Sequence, residues 1–395
     1  MGEAVHMTTG HGPIAVVGAG SVGSVTAWWL ARCSAQVVWI APHQGGPQTS
    51  SLAALGVLMG HCSRRSRGRS WRLRRASIAL WRQWLPGLGS IPQQWGLTVL
   101  CHQPDDGERL QALVRQRLEE GCPMAWRSRE DLLGRWPALA ATDLQGGLWS
   151  PQDGQLDPAP LLAALAQATE HLGVQRWPAQ VTGLTPERRN WRLQLQACDP
   201  SVPTTLLVSA VVLCTGLGAG PLLAALDPAI QLNWPMTPVL GQAAELHCPM
   251  LPPQGLPGPV VWGGINLIPR PRRQQLWIGA TVEPGNQSQA HCFDRMLRLD
   301  GAAPPWLRQA QVLRRWQGVR ARPVGRPAPL LATLAPGLLL TSGHYRNGIL
   351  LAPATATWTA QQLGFPLPDP LTGRPADGSG QGTIQGDSPQ HEPRQ

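Results

Sequence analysis

The stretch I-A-V-V-G-A-G-S-V-G, residues 14–23, constrains the fold more than any other. Ile14 to Val17 is a short apolar run rich in valine, with the length and branching of a buried strand. It ends in Gly18-x-Gly20-x-x-Gly23. A helical pattern follows through Val22, Val25, Trp29 and Leu30, and Val37 to Ile40 makes a second apolar run. G-x-G-x-x-G between a strand and a helix is the context in which this motif binds a dinucleotide. Gly18 permits the tight turn, Gly20 lets backbone approach a pyrophosphate, and Gly23 lets helix and strand pack closely. The free N–H groups of the helix N-terminus then face the phosphates. The competing explanation is a set of glycine turns in an ordinary α/β core. One expected part is missing. The end of the second strand should carry an acid for the ribose hydroxyls, but Ala41 and Pro42 stand there, and no Asp or Glu occurs between Glu3 and Asp105. Such a charge-assisted hydrogen bond is worth about 1.5–3 kcal/mol. Backbone or polar groups nearby, such as His43 or Gln44, must offset its loss. No arginine sits close by, so NADP gains nothing from the change.

A chain of 395 residues is long enough for two cores. No apolar run is long enough to span a bilayer, and M-G-E-A-V-H-M-T-T-G-H-G-P at the start lacks a secretory pattern. These features predict a soluble, cytoplasmic protein. The net charge is +10, yet all 33 basic residues are arginine, which fits codon drift in a GC-rich genome better than selection for a basic surface. Residues 64–82 hold eight arginines: Arg64, Arg65, Arg67, Arg69, Arg72, Arg74, Arg75 and Arg82. Trp71, Ile78, Trp81 and Trp84 or Leu85 recur between them at helical spacing. One reading is an RNA-binding face with aromatics for stacking. The other, which we favour, is an amphipathic helix with its tryptophans in the core. The eight cysteines are scattered with no C-x-x-C pair, which points to reduced core thiols and to no metal site.

Further along, residues 101–150 read as helical and polar with loops. In D-G-Q-L-D-P (153–158), Asp157 is a good N-cap and Pro158 fits the first helical position. The helix then runs to Gly173, with Leu161, Leu162 and Leu165 on its apolar face. T-L-L-V-S-A-V-V-L (205–213) reads as one buried strand leading to Cys214-Thr215-Gly216. Residues 229–315 are rich in Pro and Gly and alternate as antiparallel strands do. Leu338 to Leu340 is strand-like and leads into G-H-Y-R-N-G-I-L-L-A-P-A-T (343–355). The expected organisation is an α/β (α+β overall) chain. A Rossmann-type nucleotide-binding domain comes from residues 13–88, 151–228 and 316–368. A second, antiparallel-sheet substrate domain comes from 89–150 and 229–315. The tail 369–395 is expected to be disordered.

Several motifs, in this order and spacing, resemble the D-amino-acid oxidase superfamily of FAD enzymes, most of all the glycine oxidases of thiamine biosynthesis. They are V-V-G-A-G-S-V-G (16–23), T-S-S-L-A-A-L-G-V-L (49–58), D-G-Q-L-D-P (153–158), V-V-L-C-T-G (211–216), P-V-L-G-Q (238–242), I-P-R (268–270), I-G-A-T-V-E (278–283), W-Q-G-V-R (316–320) and the 343–355 segment. The resemblance covers most of residues 13–366. It implies a flavoprotein oxidoreductase that takes a hydride from the Cα of an amino acid or amine, with oxygen receiving the electrons. By similarity, Gly18, Gly20 and Gly23 hold the FAD pyrophosphate, and Ser50, Ser51, Ala53 and Ala54 line the flavin. Val181 resembles the backbone contact to adenine, and Thr215 and Gly216 lie near the cofactor. Gly343, Asn347, Gly348 and Ile349 bring a helix N-terminus to the flavin, where negative charge develops on reduction. Arg320 falls on the arginine that clamps the substrate carboxylate, and Arg346 on a second arginine. A planar guanidinium forks onto a carboxylate with two parallel hydrogen bonds, so it positions as well as binds. His344 is a candidate for acid/base work or for a backbone bond, and Tyr345 for substrate contact or packing.

The chain departs from that pattern where substrate is chosen. Asn266 or Leu267 stands where the family carries a tyrosine before I-P-R, and Arg322 and Arg326 compete with Arg320 for the clamp. A larger or more acidic substrate than glycine becomes an option. Two other functions stay open at this point. One is an FAD dehydrogenase of an amino or hydroxy acid that uses a quinone or protein acceptor. The other is an FAD-containing RNA-associated protein. A homo-oligomer is also left open.

Overall fold

The computed structural model describes residues 12–42, 49–141, 143–197, 202–226, 234–272 and 274–366. His43, Gln44 and the expected tail 369–395 lie outside the described residues. In chain order the elements begin with β1 (Ile14–Val17), α1 (Ser21–Arg32), β2 (Val37–Ile40), β3 (Val57–Leu58), α2 (Gly68–Trp84), β4 (Gln93–Cys101), α3 (Pro104–Glu119), β5 (Ala125–Ser128) and α4 (Arg129–Arg135). Next come β6 (Gly146–Leu156), α5 (Pro158–His171), β7 (Gln175–Trp177), β8 (Ala179–Glu187), β9 (Asn190–Ala197), β10 (Thr205–Val208), β11 (Ala210–Leu213) and α6 (Ala219–Ala224). The chain continues through β12 (Met236–His247), β13 (Val260–Trp262), β14 (Ile265–Pro269), β15 (Gln275–Gly279), β16 (Glu283–Pro284), α7 (Ala290–Leu297) and α8 (Pro305–Arg308). It ends in β17 (Gln311–Pro323), β18 (Leu330–Ala335), β19 (Leu338–Ser342) and α9 (Gly348–Gln362).

Three sheets form. The first has six strands in the order β18-β19-β11-β1-β2-β7. All its pairings are parallel except β18–β19. Its central strands are four-residue Val/Ile/Leu runs buried along their whole length, the expected composition when helices cover a parallel sheet. α1, α2, α5 and α9 pack against it through Val25, Trp29, Ile78, Trp81, Leu161, Leu165 and Leu350. The second sheet, β10-β9-β8, is a small antiparallel layer. The third has ten strands and is antiparallel except where β13 lies beside β4.

The structure departs from the sequence reading at four places. The 205–213 run is two strands in different sheets, because Ser209 breaks it. The Ser209 N–H donates to the Pro13 carbonyl at 2.9 Å and its hydroxyl to the Gly12 carbonyl at 2.6 Å. Residues 101–150 hold strands as well as helices; β5 and the start of β6 lie there. Asp157 occupies the N-cap of α5 but its carboxylate makes no capping bond. It instead pairs with Arg270 at 2.7 Å and ties α5 to the large sheet. Finally, 57–58, 151–156 and 316–323, grouped above with the nucleotide-binding strands, run in the ten-stranded sheet as parts of β3, β6 and β17.

The arginine-rich stretch becomes α2. Trp71, Ile78, Trp81, Trp84 and Leu85 are buried. Arg64, Arg65, Arg67, Arg72, Arg75 and Arg82 are exposed, while Arg69 and Arg74 are half-buried. Those tryptophans are therefore withheld from base stacking, which removes the aromatic half of the RNA reading. Among the described cysteines all seven are free, and six are buried. Burial pushes the thiols of Cys33, Cys214 and Cys248 up to about 12, so they stay protonated. Among the described residues no helix is long and apolar enough to cross a membrane.

Candidate active site

The turn from β1 into α1 is shaped by what its backbone touches. Gly18 has φ +112°, and a Cβ there would sit 2.8 Å from the Cys214 carbonyl oxygen. At Gly23 a Cβ would collide with the Gly18 carbonyl. The turn is thus pressed against the end of β11, where the Cys214 N–H donates to Val17 at 2.8 Å. Trp39 Nε1 donates to the Gly18 carbonyl at 2.9 Å and fixes it from the other side. Sequence reading missed Trp39, which it treated as core.

Ser51 stands at the head of α1. Its hydroxyl accepts from the Ser21 N–H at 2.8 Å and lies 3.2 Å from the Ser21 hydroxyl. The start of α9 lies beside the same spot, for Ser21 Oγ is the neighbour that a Cβ on Gly348 would meet, at 3.5 Å. Two helix N-termini therefore converge, and each carries about half a positive charge. Asn347 is the N-cap of α9; its side chain makes no capping bond. Ile349 is buried, and its carbonyl accepts from Trp81 Nε1 at 3.0 Å. Thr215 and Gly216 follow β11. The Thr215 hydroxyl is buried without a partner among the described residues. Gly216 has φ +58° with open space where a side chain would be, and its carbonyl accepts from Ser342 at 3.0 Å. Val181 is buried in one apolar cluster with Val17, Ile40 and Leu213, next to an irregularity in the β8–β9 pairing.

Arg320 sits on β17, opposite Val239 of β12. Its neighbours on both sides are pinned to the loops that hold Ser50 and Tyr345. The Val319 carbonyl accepts from the Ser50 hydroxyl, and the Ala321 carbonyl from the Tyr345 N–H at 3.2 Å. The 49–54 segment is fastened again where Trp316 Nε1 donates to the Ala53 carbonyl at 3.0 Å. Ala54 packs on the first core. The Arg320 guanidinium donates from one nitrogen to the carbonyls of Leu240 and Thr281, each at 3.1 Å. It stands where a Cβ on Gly241 would be, which accounts for the glycine of P-V-L-G-Q. Burial and the neighbouring Arg346 lower its pKa to about 10, so it remains charged at neutral pH. Arg322 and Arg326 are exposed; the first lies 5.7 Å from the Tyr345 ring and the second 4.5 Å from the Trp234 ring. Arg320 is the half-buried member of the three.

A polar network that sequence reading missed supports it. Glu283 is fully buried on β16. Its carboxylate accepts from the Thr281 hydroxyl, from Gln242 Nε2 at 2.9 Å and from the Gln289 N–H at 2.6 Å. The Gln242 N–H donates to the Thr281 hydroxyl at 2.8 Å, and Arg315 donates to the Gln242 side-chain oxygen. The network holds Thr281, whose carbonyl holds Arg320. The only signal lay in P-V-L-G-Q and I-G-A-T-V-E, which the resemblance quoted without assigning a role to either polar residue.

His344 does not reach the site as an acid or base. It is buried, with Nε2 2.9 Å from the Thr355 hydroxyl on α9. Burial, with Arg69 nearby, lowers its pKa to about 3. It is a neutral tether between the 343–347 loop and α9. Tyr345 is half-buried at φ +55°. Arg346 is exposed. Asn266 is half-buried on β14 and donates to the Gly279 carbonyl at 2.9 Å, while Leu267 is fully buried.

Residues 13–362 match the family model described as FAD dependent oxidoreductase. The chain belongs to this family. The bifunctional protein ThiO/ThiG of Nostoc is 30% identical over 372 residues, covering 91% of this chain and 53% of that protein. The glycine oxidase of Bacillus subtilis is 25% identical over 359 residues, covering 87% of this chain and 91% of that one. The chain spans about half the length of its bifunctional relative. Among solved structures, the glycine oxidase of Geobacillus kaustophilus superposes with a TM-score of 0.75 at 26% identity, covering 89% of this chain and 95% of that one. A glycine oxidase from Bacillus cereus superposes with a TM-score of 0.77 at 22% identity and coverage of 89% and 95%, which supports the fold.

The residues present fit FAD, the cofactor of the family. The Gly18–Gly23 turn, the two helix N-termini and the unpartnered Thr215 hydroxyl suit a pyrophosphate and an adjoining isoalloxazine. A cavity of about 490 Å³ opens at the ends of β1, β2 and β7, with Ala19, Trp39, Ala41, Arg176 and Trp177 in its wall. Ala41 in that wall is the position where the expected ribose-binding acid is missing. Arg176 reaches over the Trp39 ring at 4.9 Å.

Proposed function

We propose that the chain is an FAD-dependent oxidoreductase of the glycine oxidase kind. It oxidises the Cα–N bond of glycine or another small amino acid or amine to an imine, with oxygen as acceptor. Thiamine biosynthesis is the route we propose for it, on the resemblance stated above. The observation that carries the reading is Arg320. It is a half-buried, charged guanidinium on a strand whose flanking carbonyls are bonded to Ser50 and Tyr345, in the two loops expected to border the flavin.

When bound, FAD supplies a two-electron acceptor for the Cα–H of the substrate. Gly18, Gly20, Gly23 and the head of α1 hold its pyrophosphate. Ser50, Ser51, Ala53 and Ala54 would hold the flavin together with the loop from Gly343 and the N-terminus of α9 through Ile349. Arg320 takes the substrate carboxylate. Because one of its terminal nitrogens is committed to Leu240 and Thr281, the guanidinium is held before substrate arrives, which is positioning catalysis. Tyr345 and Arg346 border the same space. His344, neutral and bonded to Thr355, holds the loop and moves no proton. The substrate amine must therefore lose its proton to solvent before or during binding.

The purified protein should carry FAD. Under nitrogen, glycine, sarcosine or a small D-amino acid should bleach the oxidised flavin, and air should restore it with formation of peroxide. A loaded enzyme that none of these reduces defeats the proposal. Reduction by an amino acid followed by slow reoxidation in air would instead assign the electrons to a quinone or protein acceptor.

A further inference from the structure

We propose that Glu170, in a cavity it shares with Arg176, takes the place of the acid missing at Ala41 and holds the adenosine ribose of FAD. The proposal rests on FAD being the cofactor, not on which substrate is oxidised. The sequence shows no charged group beside the end of β2. The fold brings two to the same cavity, from α5 and β7.

β7 runs parallel to β2 and ends beside Ala41. Arg176 lies opposite Trp39, and Trp177 opposite Ile40. The Ala41 N–H then donates to the Trp177 carbonyl at 3.2 Å. The Trp39 ring ties this edge of the sheet to the pyrophosphate turn. Its Nε1 donates to the Gly18 carbonyl at 2.9 Å, and the Arg176 guanidinium stands over its face, 4.9 Å from the centroid. Glu170 comes from the last turn of α5. Next to it Thr169 is fully buried, and its carbonyl accepts from the Val174 N–H at 3.1 Å. The Gly173 N–H donates to the Glu170 carbonyl at 2.9 Å. Gly173 has φ +73°, the left-handed conformation that ends α5 and turns the chain directly into β7. The cavity of about 490 Å³ has Ala19, Trp39, Ala41, Glu170, Arg176 and Trp177 in its wall. It therefore reaches from the glycine turn, past the end of β2, to Glu170.

The chemistry of the wall separates the two roles. A ribose offers two O–H donors side by side, and an ionised carboxylate is the side chain built to accept both. Ala41 accepts nothing through its side chain. Glu170 is the single carboxylate among the residues of the wall. That carboxylate makes no hydrogen bond and no ion pair among the described residues, so its oxygens are free for a ligand. Arginine only donates, so Arg176 cannot replace the acid. Held over Trp39, it instead offers N–H groups to the acceptor nitrogens of adenine and places a positive charge in the cavity that holds the carboxylate. Both side chains are exposed, so adenosine reaches them without rearrangement of the fold.

The test uses the full chain loaded with FAD, or with an FAD analogue lacking the 2′-hydroxyl of the adenosine ribose. Dissociation constants are read from the flavin fluorescence recovered on release. The wild type should hold FAD about tenfold tighter than the analogue or better, the scale of one charge-assisted hydrogen bond. Glu170→Gln keeps the size and removes the charge. It should weaken FAD binding and bring that ratio close to one. Glu170→Ala is the second neutral replacement if the Gln variant retains no flavin. Adding Ala41→Glu to the neutral variant should restore the preference, because the acid then stands at the end of β2. Arg176→Met should weaken both ligands alike and leave the ratio in place. A ratio near one in the wild type, or an unchanged ratio in a folded Glu170 variant, overturns the proposal. Anaerobic reduction by glycine, sarcosine and small D-amino acids is followed on the same preparations. An enzyme with the ribose preference that none of them reduces keeps this assignment and defeats the oxidase reading. One that they reduce, with no ribose preference, keeps the oxidase and defeats the assignment.

Discussion

The six-stranded and ten-stranded sheets do their work by opposite means. The first builds its site from backbone: Gly18 and Gly23 let chain meet chain, and helices α1 and α9 offer N–H groups. Its central strands β1, β2 and β11 are apolar throughout. The second builds its site from polar side chains: buried Glu283, Gln242 and Thr281 bond one another, and Arg320 and Arg315 bond to them or to the neighbouring backbone. A backbone site suits one invariant guest such as a cofactor. A side-chain site can be rewritten position by position, which suits the choice of substrate.

The contrast predicts different failures. Gly23→Val should give the largest effect, because the new side chain meets the Gly18 carbonyl and no rotamer avoids it. The expected outcome is a protein that does not retain FAD, measured as the flavin content of the purified variant. Arg320→Met should keep the flavin and lose substrate. Leaving a carboxylate without its partner costs about 2–5 kcal/mol, so kcat/KM should fall by about 30-fold to several thousandfold, with an intact flavin spectrum. If Arg320→Met lost FAD instead, the division of labour between the sheets would be wrong. In the wild type the same residue sets an alkaline limb. Arg320 is charged below about 10 and loses its proton above it, so kcat/KM should fall as pH rises through that value.

That division also marks what was legible. The β1–α1–β2 unit, the core face of α2 and the approach of β19 to α9 follow from periodicity and glycine spacing, which are local properties. β6 and β17 were not read as members of the large sheet, because their sequences are polar and broken by Gly or Pro. The same holds for Asp153 and Glu283. Asp153 is buried because Gly60, His61 and Cys62 point their N–H groups at it from more than ninety positions away in the chain. Glu283 is buried among a side-chain amide from Gln242, 41 positions away, and the N–H of Gln289, six positions away. No short window of sequence contains both halves of the Asp153 contacts. For His344 the sequence left acid/base work and a bonding role open, and its bond runs to Thr355 inside α9.

Two smaller effects sharpen the comparison. Glu283→Gln removes the charge at the centre of the network while keeping its shape. Binding should weaken by about tenfold, in KM more than in kcat, if the network only orients Arg320. His344→Gln should change catalysis least, and its signature is in stability. The folded pKa of about 3 lies below the usual 6.5, so the unfolded chain binds the extra proton first. The wild type should therefore lose stability as pH falls from about 6.5 towards 3, and thermal melts of the Gln variant should show a flatter acid side.

The central claim is that Arg320 presents an amino acid carboxylate at the edge of the FAD site. Anaerobic titration of the loaded enzyme with glycine, sarcosine and small D-amino acids, in the wild type and in Arg320→Met, tests it most directly. The account predicts bleaching of the wild-type flavin by at least one of them, and a reduction by the variant that needs far higher substrate concentration. Equal substrate dependence in the two enzymes, or no bleaching of the wild type by any of them, would contradict it.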